Sequence, residues 1–317
     1  MYLQRVFPIV ALSVALLVSA GAAWAEAPAQ PQGKSYTLIL KADPAAPPNA
    51  GNGTVQFIGT ATVLIRFQGF TILTDPNFLH KGDHVRLGFG NTAQRLTNPA
   101  TELAQLPPID LVILSHMHED HFDKFVQEKL NKDTPIATTR EAAEKLKRLG
   151  FTRTAALSAW DRLEIEKGAG RLRITAVPGR HGSAGVAVLQ SAVMGSVLDF
   201  GTKPDTPDYR IYISGDTLID DDVRGLPQRF PGVDLALLHL GGTRFMGVFK
   251  VTMDARDGVE MLQLMQPGKA IPIHVDDYDV FKSPLAEFAG AVKQAGLDQK
   301  VAYLAHGETY SFTPSKH

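Results

Sequence analysis

From residue 54 onward, apolar and polar positions alternate in short runs whose periods predict a strand-rich chain interrupted by a few helices. "TVQFIG", "TVLIRF" and "FTILTD" are β-branched and aromatic runs of strand length, and Gln68-Gly69 separates the last two as in a tight hairpin. Residues 79–99, rich in Gly, Asn, His and Arg, predict a loop. "DLVIL" is apolar on both faces and predicts a buried strand, whereas "FDKFVQEKLNK" sets Phe122, Phe125, Val126 and Leu130 at helical spacing. "PIATT" is a strand, "REAAEKLKRLG" a helix closed by Gly150, and "DRLEI" and "LRITAVP" are strands.

The second half repeats the plan. "GVAVLQSAVMGSVLDF" and "YRIYIS" read as β-rich, "VDLALLHL" as a buried strand, "MDARDGVEMLQLMQ" as a helix, "AIPIHV" as a strand and "PLAEFAGAVKQAG" as a helix, with "VAYLAH" and "TYSFT" closing the chain. Two such series predict an α/β domain of two similar halves, packed sheet on sheet with helices outside. No Pro/Gly-rich linker divides them, so residues 54–317 count as one domain. Residues 26–53 precede it as a Pro/Gly-rich segment ("EAPAQPQGK", "KADPAAPPNAGNG") around the short strand-like "YTLIL".

Residues 1–25 differ in kind. A lone Arg5, an apolar run and Ala23-Trp24-Ala25 have the layout of a secretory signal peptide cut before Glu26. The alternative, a retained anchor, is disfavoured because the run is near the lower limit for spanning. Periplasmic or secreted localisation follows, with no stable membrane anchor after cleavage. The absence of cysteine among 317 residues removes disulfides, lipid attachment through cysteine and thiolate metal sites, so any metal must be held by His and carboxylates. Without a twin arginine the metal is expected to load after export, which favours zinc over ferrous iron. Loss of the signal removes one Arg and no acid, leaving 31 basic against 33 acidic residues, no footprint for nucleic acid.

The chemistry concentrates in "SHMHEDH", where three of the chain's 10 histidines fall within six positions. Strand residues alternate faces, so His116 and His118 project to one side if the segment stays extended and can share one metal. Asp120 and His121 follow where the chain should turn into a helix, which lets them face a neighbouring metal position. Imidazole and carboxylate together form a donor set that zinc accepts. Further candidate ligands end other predicted strands: His181 after "LRITAVPGR", Asp216 in "YRIYISGD" and His274 in "AIPIHV".

With "ILTDP", "SHMHEDH", "GRHG", "SGDT" and "PIHVDDY" in that order, the chain resembles the metallo-β-lactamase fold superfamily across residues 54–312. The resemblance implies a four-layer αββα sandwich with a dinuclear site at one edge. It implies that His116, His118 and His181 hold the first metal, that Asp120, His121 and His274 hold the second, and that Asp216 bridges both. Within the superfamily, "IGTATVLIRFQGFTILTDPNF" looks like the branch containing ascorbate-6-phosphate lactonase and N-acylphosphatidylethanolamine phospholipase D. Asp216 argues against lactam hydrolysis, since the true β-lactamases lack that bridging Asp. Thr252 stands where the phospholipase is expected to show a His, and its long apolar insert is not evident, which argues against phospholipid cleavage.

The function expected is hydrolysis of a lactone, ester or phosphodiester by a hydroxide activated between two Zn ions, with Mn or Fe as alternative metals. Asp120 is the candidate to relay the proton. Asp75 is the candidate to orient a ligand imidazole through its free N–H, against a plain turn role in Asp75-Pro76. The competing expectation is an iron-dependent, persulfide dioxygenase-like redox enzyme on the same fold. His239 is either a pocket residue or a satisfied core histidine, His80 and His84 read as solvated, and His306 and His317 as incidental. The partner is a small molecule, and Arg244, Lys250 and Lys282 are candidates to meet a phosphate or carboxylate on it, against simple surface charge. Tyr278 and Phe281 either wall the pocket or pack. Sequencing the N-terminus of protein from its native host should begin at Glu26; recovery of Tyr2 or Leu3 would contradict cleavage.

Overall fold

The structure, a computed structural model, describes residues 33–42, 51–88, 90–187, 189–203 and 206–314. The expected signal segment and His317 lie outside the described residues. In chain order the strands are β1 (Ser35–Leu40), β2 (Gly53–Gly59), β3 (Thr62–Phe67), β4 (Phe70–Thr74), β5 (His84–Gly88), β6 (Asn91–Gln94), β7 (Leu111–Leu114), β8 (Ile136–Thr139) and β9 (Thr154–Leu157). They continue with β10 (Arg162–Lys167), β11 (Gly170–Pro178), β12 (Met194–Phe200), β13 (Tyr209–Ile213), β14 (Leu235–His239), β15 (Arg244–Phe245), β16 (Phe249–Lys250), β17 (Lys269–Ile273) and β18 (Thr309–Phe312). The helices are α1 (Lys124–Lys129), α2 (Arg140–Arg148), α3 (Ala184–Ala187), α4 (Asp221–Arg224), α5 (Leu226–Arg229), α6 (Ala255–Met265) and α7 (Leu285–Gln294).

Two mixed sheets of seven strands form, in the orders β18-β2-β3-β4-β7-β8-β9 and β1-β10-β11-β12-β13-β14-β17. Their inner faces share one core, with Val63, Ile65, Phe67, Leu111 and Ile113 meeting Leu198, Phe200, Ile211, Leu235 and Ile271. The period of two sends the alternate residues outward. Val112 and Leu114 pack with Phe122, Val126 and Leu146 from the α1 and α2 side, and Ala236 and Leu238 pack with Met261, Leu262 and Phe288 from α6 and α7. That double burial is why "DLVIL" and "DLALL" carry no polar face, and it gives the α/β sandwich expected from the sequence.

Four local expectations are corrected. Ser35–Leu40 runs parallel to β10 as the edge of the second sheet, so the sandwich takes in a strand from before the boundary set at Thr54. Residues 79–99 contain the hairpin β5–β6, and "GVAV" begins with the single turn α3. "VAYLAH" contributes one isolated bridge, Ala270 to Val301, because Lys300 Nζ and the turn before it tie the segment to Pro267 and Asp298.

His306, expected to be incidental, is a strut. Its ring bonds Asn98 O at 3.1 Å and faces the buried Asp277 carboxylate at 3.1 Å, which itself accepts Thr60 N–H. The hydrogen bond to Asp277 raises the His306 pKa above its ordinary value despite partial burial. A raised folded pKa makes this contribution complete below about 6.5 and lost as pH climbs through the folded value. His306→Ala should therefore cost on the order of 1 kcal/mol at pH 6 and less at pH 9, read by urea unfolding; equal costs at both pH values would contradict it.

Candidate metal centre

The strand ends β4, β7, β11, β13, β14 and β17 deliver their next residues to one edge of the sandwich, where carboxyl ends of strands commonly carry chemistry. After β7 the chain passes through Ser115 and His116, then folds back as the N–H groups of His121 and Phe122 donate to His118 O at 3.1 and 2.9 Å. This turn, continued by Asp123 capping α1 through Val126 N–H at 2.8 Å, brings Asp120 and His121 into a second group that adjoins His116, whose ring lies 4.2 Å from that of His121. Gly215 reaches Asp216 at φ +63°, and a Cβ there would sit 2.6 Å from Met194 O, so the SGD turn needs glycine.

The side chains form two adjoining groups. His116, His118 and His181 make one, with His116 Nε2 facing His118 Nδ1 at 2.9 Å. Asp120, His121, Asp216 and His274 make the other. Asp216 Oδ2 lies 3.3 Å from His121 Nε2, 3.6 Å from His274 Nε2 and 4.0 Å from His116 Nε2, between the groups. All seven sequence-predicted ligands therefore converge. The donor set fits a divalent metal on its own terms: Asp120 Oδ1, Asp216 Oδ1 and His121 Nε2 are buried without hydrogen-bond partners, as cation ligands are before the cation is counted.

Four of the five imidazoles are held from behind. His181 Nδ1 bonds Val251 O at 2.9 Å, His274 Nδ1 bonds Leu240 O at 3.1 Å, and His116 Nδ1 meets Ser115 Oγ at 3.0 Å. Asp75 Oδ1 accepts Ser115 N–H at 2.7 Å, while Oδ2 lies 3.5 Å from His121 Nδ1 and 3.3 Å from His239 Nε2. The Asp75 side chain thus sits where it can orient His121, and its left-handed φ of 34° is a conformation that the surrounding bonds must hold. His239 is a buried, partnered residue behind the site, not a cavity wall.

The groups differ in proton affinity. Burial, and then repulsion from neighbouring imidazoles, pushes His116 well below its ordinary value and His118 down to about 4. Burial likewise lowers His181. Burial alone would lower His121 and His274 too, yet the Asp216 and Asp120 carboxylates raise both. Asp216 is buried, which opposes ionisation, but the charges of His274 and His121 hold its pKa well below the carboxylate range.

The centre opens into a cavity of about 320 Å³ lined by His118, Asp120, His181 and Asp216 below and by Arg244 and Lys282 among its walls. A larger groove of about 1,100 Å³ lies at the other end of β13, around Arg210 and Phe230, and shares none of these residues. Lys250 is instead held by Asp254 at 2.9 Å and Asp257 at 2.6 Å. His80 and His84 are exposed, as expected. Tyr278 is buried with its hydroxyl 3.1 Å from Asn77 Oδ1, and Phe281 backs His274 at 4.4 Å between rings, so both pack. Sequence reading missed Ser115, although it abuts the histidine cluster, and missed Glu119, which accepts Arg86 N–H at 2.8 Å and ties the β5–β6 hairpin to the ligand loop. Thr252 Oγ1 accepts Thr243 N–H at 2.8 Å, a structural use of that position.

A four-layer sandwich with His/Asp clusters able to bind metal at one edge defines the class: a metal-dependent hydrolase. The chain belongs to the β-lactamase superfamily, since the family model described as "Beta-lactamase superfamily domain" matches residues 71–275. It is 28% identical over 203 residues to a UPF0173 metal-dependent hydrolase of Archaeoglobus fulgidus, covering 64% of this chain and 82% of that one. It is 26% identical over 245 residues to one of Thermus thermophilus, covering 77% and 93%. Among solved structures, an isothiocyanate hydrolase from Delia radicum gut bacteria superposes with a TM-score of 0.68 at 25% identity, covering 82% of this chain and 99% of that one. The diiron β-hydroxylase CmlA of Streptomyces venezuelae shares the fold, with a TM-score of 0.58 at 15% identity over 82% of this chain and 54% of that one.

At pH 7 His121, raised well above its ordinary value, should carry a proton that a metal must displace, whereas His116, His118 and His181, all lowered, should not. Zinc titration calorimetry in buffers of different ionisation enthalpy should show proton release that falls in His121→Gln. Uptake of zinc with no proton release would contradict this assignment.

Proposed function

We propose that this metal-dependent hydrolase is an exported enzyme that binds two zinc ions and cleaves a lactone, ester or phosphodiester of a small, anionic substrate. The observation that carries the reading is the meeting of the two ligand groups at Asp216 Oδ2, on the floor of the cavity. His116, His118 and His181 would hold one metal, Asp120, His121 and His274 the other, with Asp216 shared. A bound metal pair supplies Lewis-acid polarisation and a water acidic enough to yield a nucleophile near neutral pH.

The chain's own residues do the rest. Asp120 faces the cavity with Oδ1 unpartnered and takes the proton of the attacking water. Asp75 keeps His121 oriented through its Nδ1. With two carboxylates among the seven ligands, a divalent pair leaves net positive charge, which favours substrates that develop anionic oxygens. Export rests on the sequence of residues 1–25, and zinc on the Cys-free His/Asp donor set.

The test is a hydrolysis screen of lactones, phosphodiesters and esters with zinc- and manganese-loaded mature protein, to which isothiocyanates are added because of the similar solved hydrolase. Asp120→Ala and His116→Ala should each lower activity at least about a hundredfold and reduce bound metal. Full activity in either variant would refute the site, and one iron per chain in protein from the native compartment would favour the redox reading.

A further inference from the structure

Besides the ligand carboxylates, two polar atoms beside the cavity have no hydrogen-bond partner among the described residues. Gln190 Nε2 and Thr243 Oγ1 are both buried without a hydrogen bond, and both residues line the cavity above the ligand groups. A buried donor left unpaired is costly and rare, so such an atom points to something that comes to meet it. Thr243 has its backbone fully engaged, its N–H donating to Thr252 Oγ1 and its carbonyl accepting Val251 N–H at 2.9 Å, which leaves only the hydroxyl to offer.

Two cations share that lining without a carboxylate partner. Arg244 donates to Val248 O at 3.2 Å and Lys282 to Asp279 O at 2.7 Å, both backbone carbonyls, and neither makes an ion pair among the described residues. The Asp279 carboxylate, also on the lining, accepts Gln94 N–H at 3.0 Å. Water could satisfy Gln190 and Thr243 alone. An oxyanion drawn to the two cations offers charge-assisted acceptors to the same lining, which water does not.

We propose that Gln190, Thr243, Arg244 and Lys282 form a clamp for a carboxylate or phosphate that the substrate carries away from its scissile bond, on an otherwise apolar body. The body is apolar because Leu87, Phe245, Met246 and Val280 supply much of the remaining wall. A polyol phosphate would strand its hydroxyls against them. The size is small, since about 320 Å³ is at the lower end for small-molecule pockets. The clamp deepens the hydrolase reading, on which it rests for the cavity being the substrate site.

Binding tests it without turnover, so it stands or falls separately from the hydrolysis screen. Calorimetry on the zinc-loaded protein would compare 3-phenylpropionate with its neutral amide. The acid should bind at least about tenfold more tightly, and Arg244→Gln/Lys282→Gln should remove about tenfold of its affinity while the amide is unaffected. Arg244 and Lys282 are exposed, so the double variant should fold as the wild type does. Gln190→Leu and Thr243→Val should each weaken the acid by roughly threefold or more. Equal binding of acid and amide would overturn the clamp, as would a double variant that holds the acid as tightly as the wild type.

Discussion

Asp216 takes a carboxylate out of water at the end of β13, and its ion-pair partners among the described residues are all histidines. An unpaired charge at such depth is prohibitive, so the fold has to supply compensation at that point. Much of the local architecture can be understood as that compensation. His121 and His274 stand against it with proton affinity raised by its charge, which offsets part of the cost of burying it. Three of the side chains in this group, Asp120, His121 and Asp216, also keep a buried atom without a hydrogen-bond partner, so folding and metal binding draw on overlapping groups.

That arrangement depends on two sheets ending at the same edge. His116, Asp120 and His121 follow β7 of the first sheet, while His181, Asp216 and His274 follow strands of the second. The shared hydrophobic core sets the separation of those strand ends, because side chains from both inner faces interdigitate. Fine positioning then comes from backbone carbonyls. Val251 O and Leu240 O fix His181 and His274, and His274 itself adopts φ 61°, a conformation kept only where its surroundings over-determine it.

The outer parts of the cavity follow a different logic. The β5–β6 hairpin and the short β15–β16 pair carry little of the core, yet they bring Leu87, Arg244, Phe245 and Met246 to the opening. Glu119 couples the first of these hairpins to the ligand loop, so the wall and floor of the cavity are joined through a residue inside the metal-binding motif. Specificity can change there without disturbing the ligands, as expected of loops on a rigid scaffold.

The sequence by itself determined the layered fold and pointed to the seven side chains that meet at its edge. Periodicity and spacing carried part of this: doubly apolar strands such as "DLVIL" have to be buried on two faces, and H-x-H-x-D-H at a strand-to-helix turn faces two directions; the four layers and the seven-residue set came from the resemblance. His80 and His84 were also legible as solvated, since a Gly-rich polar segment gives a ring nothing to pack on. What only the tertiary structure decided concerns partners far apart in the chain. His306 became a strut because Asp277 and Asn98 reach it, His239 a neighbour of Asp75 across 164 positions, and Lys250 a surface ion pair while Arg244 and Lys282 kept the cavity. Nothing in spacing marks Gln190 or Thr243, whose unpaired atoms exist only once other segments have closed around them. A side chain's burial and its hydrogen-bond partners are properties of the packed interior, and the linear pattern reports them only when they repeat with the period of a strand or a helix.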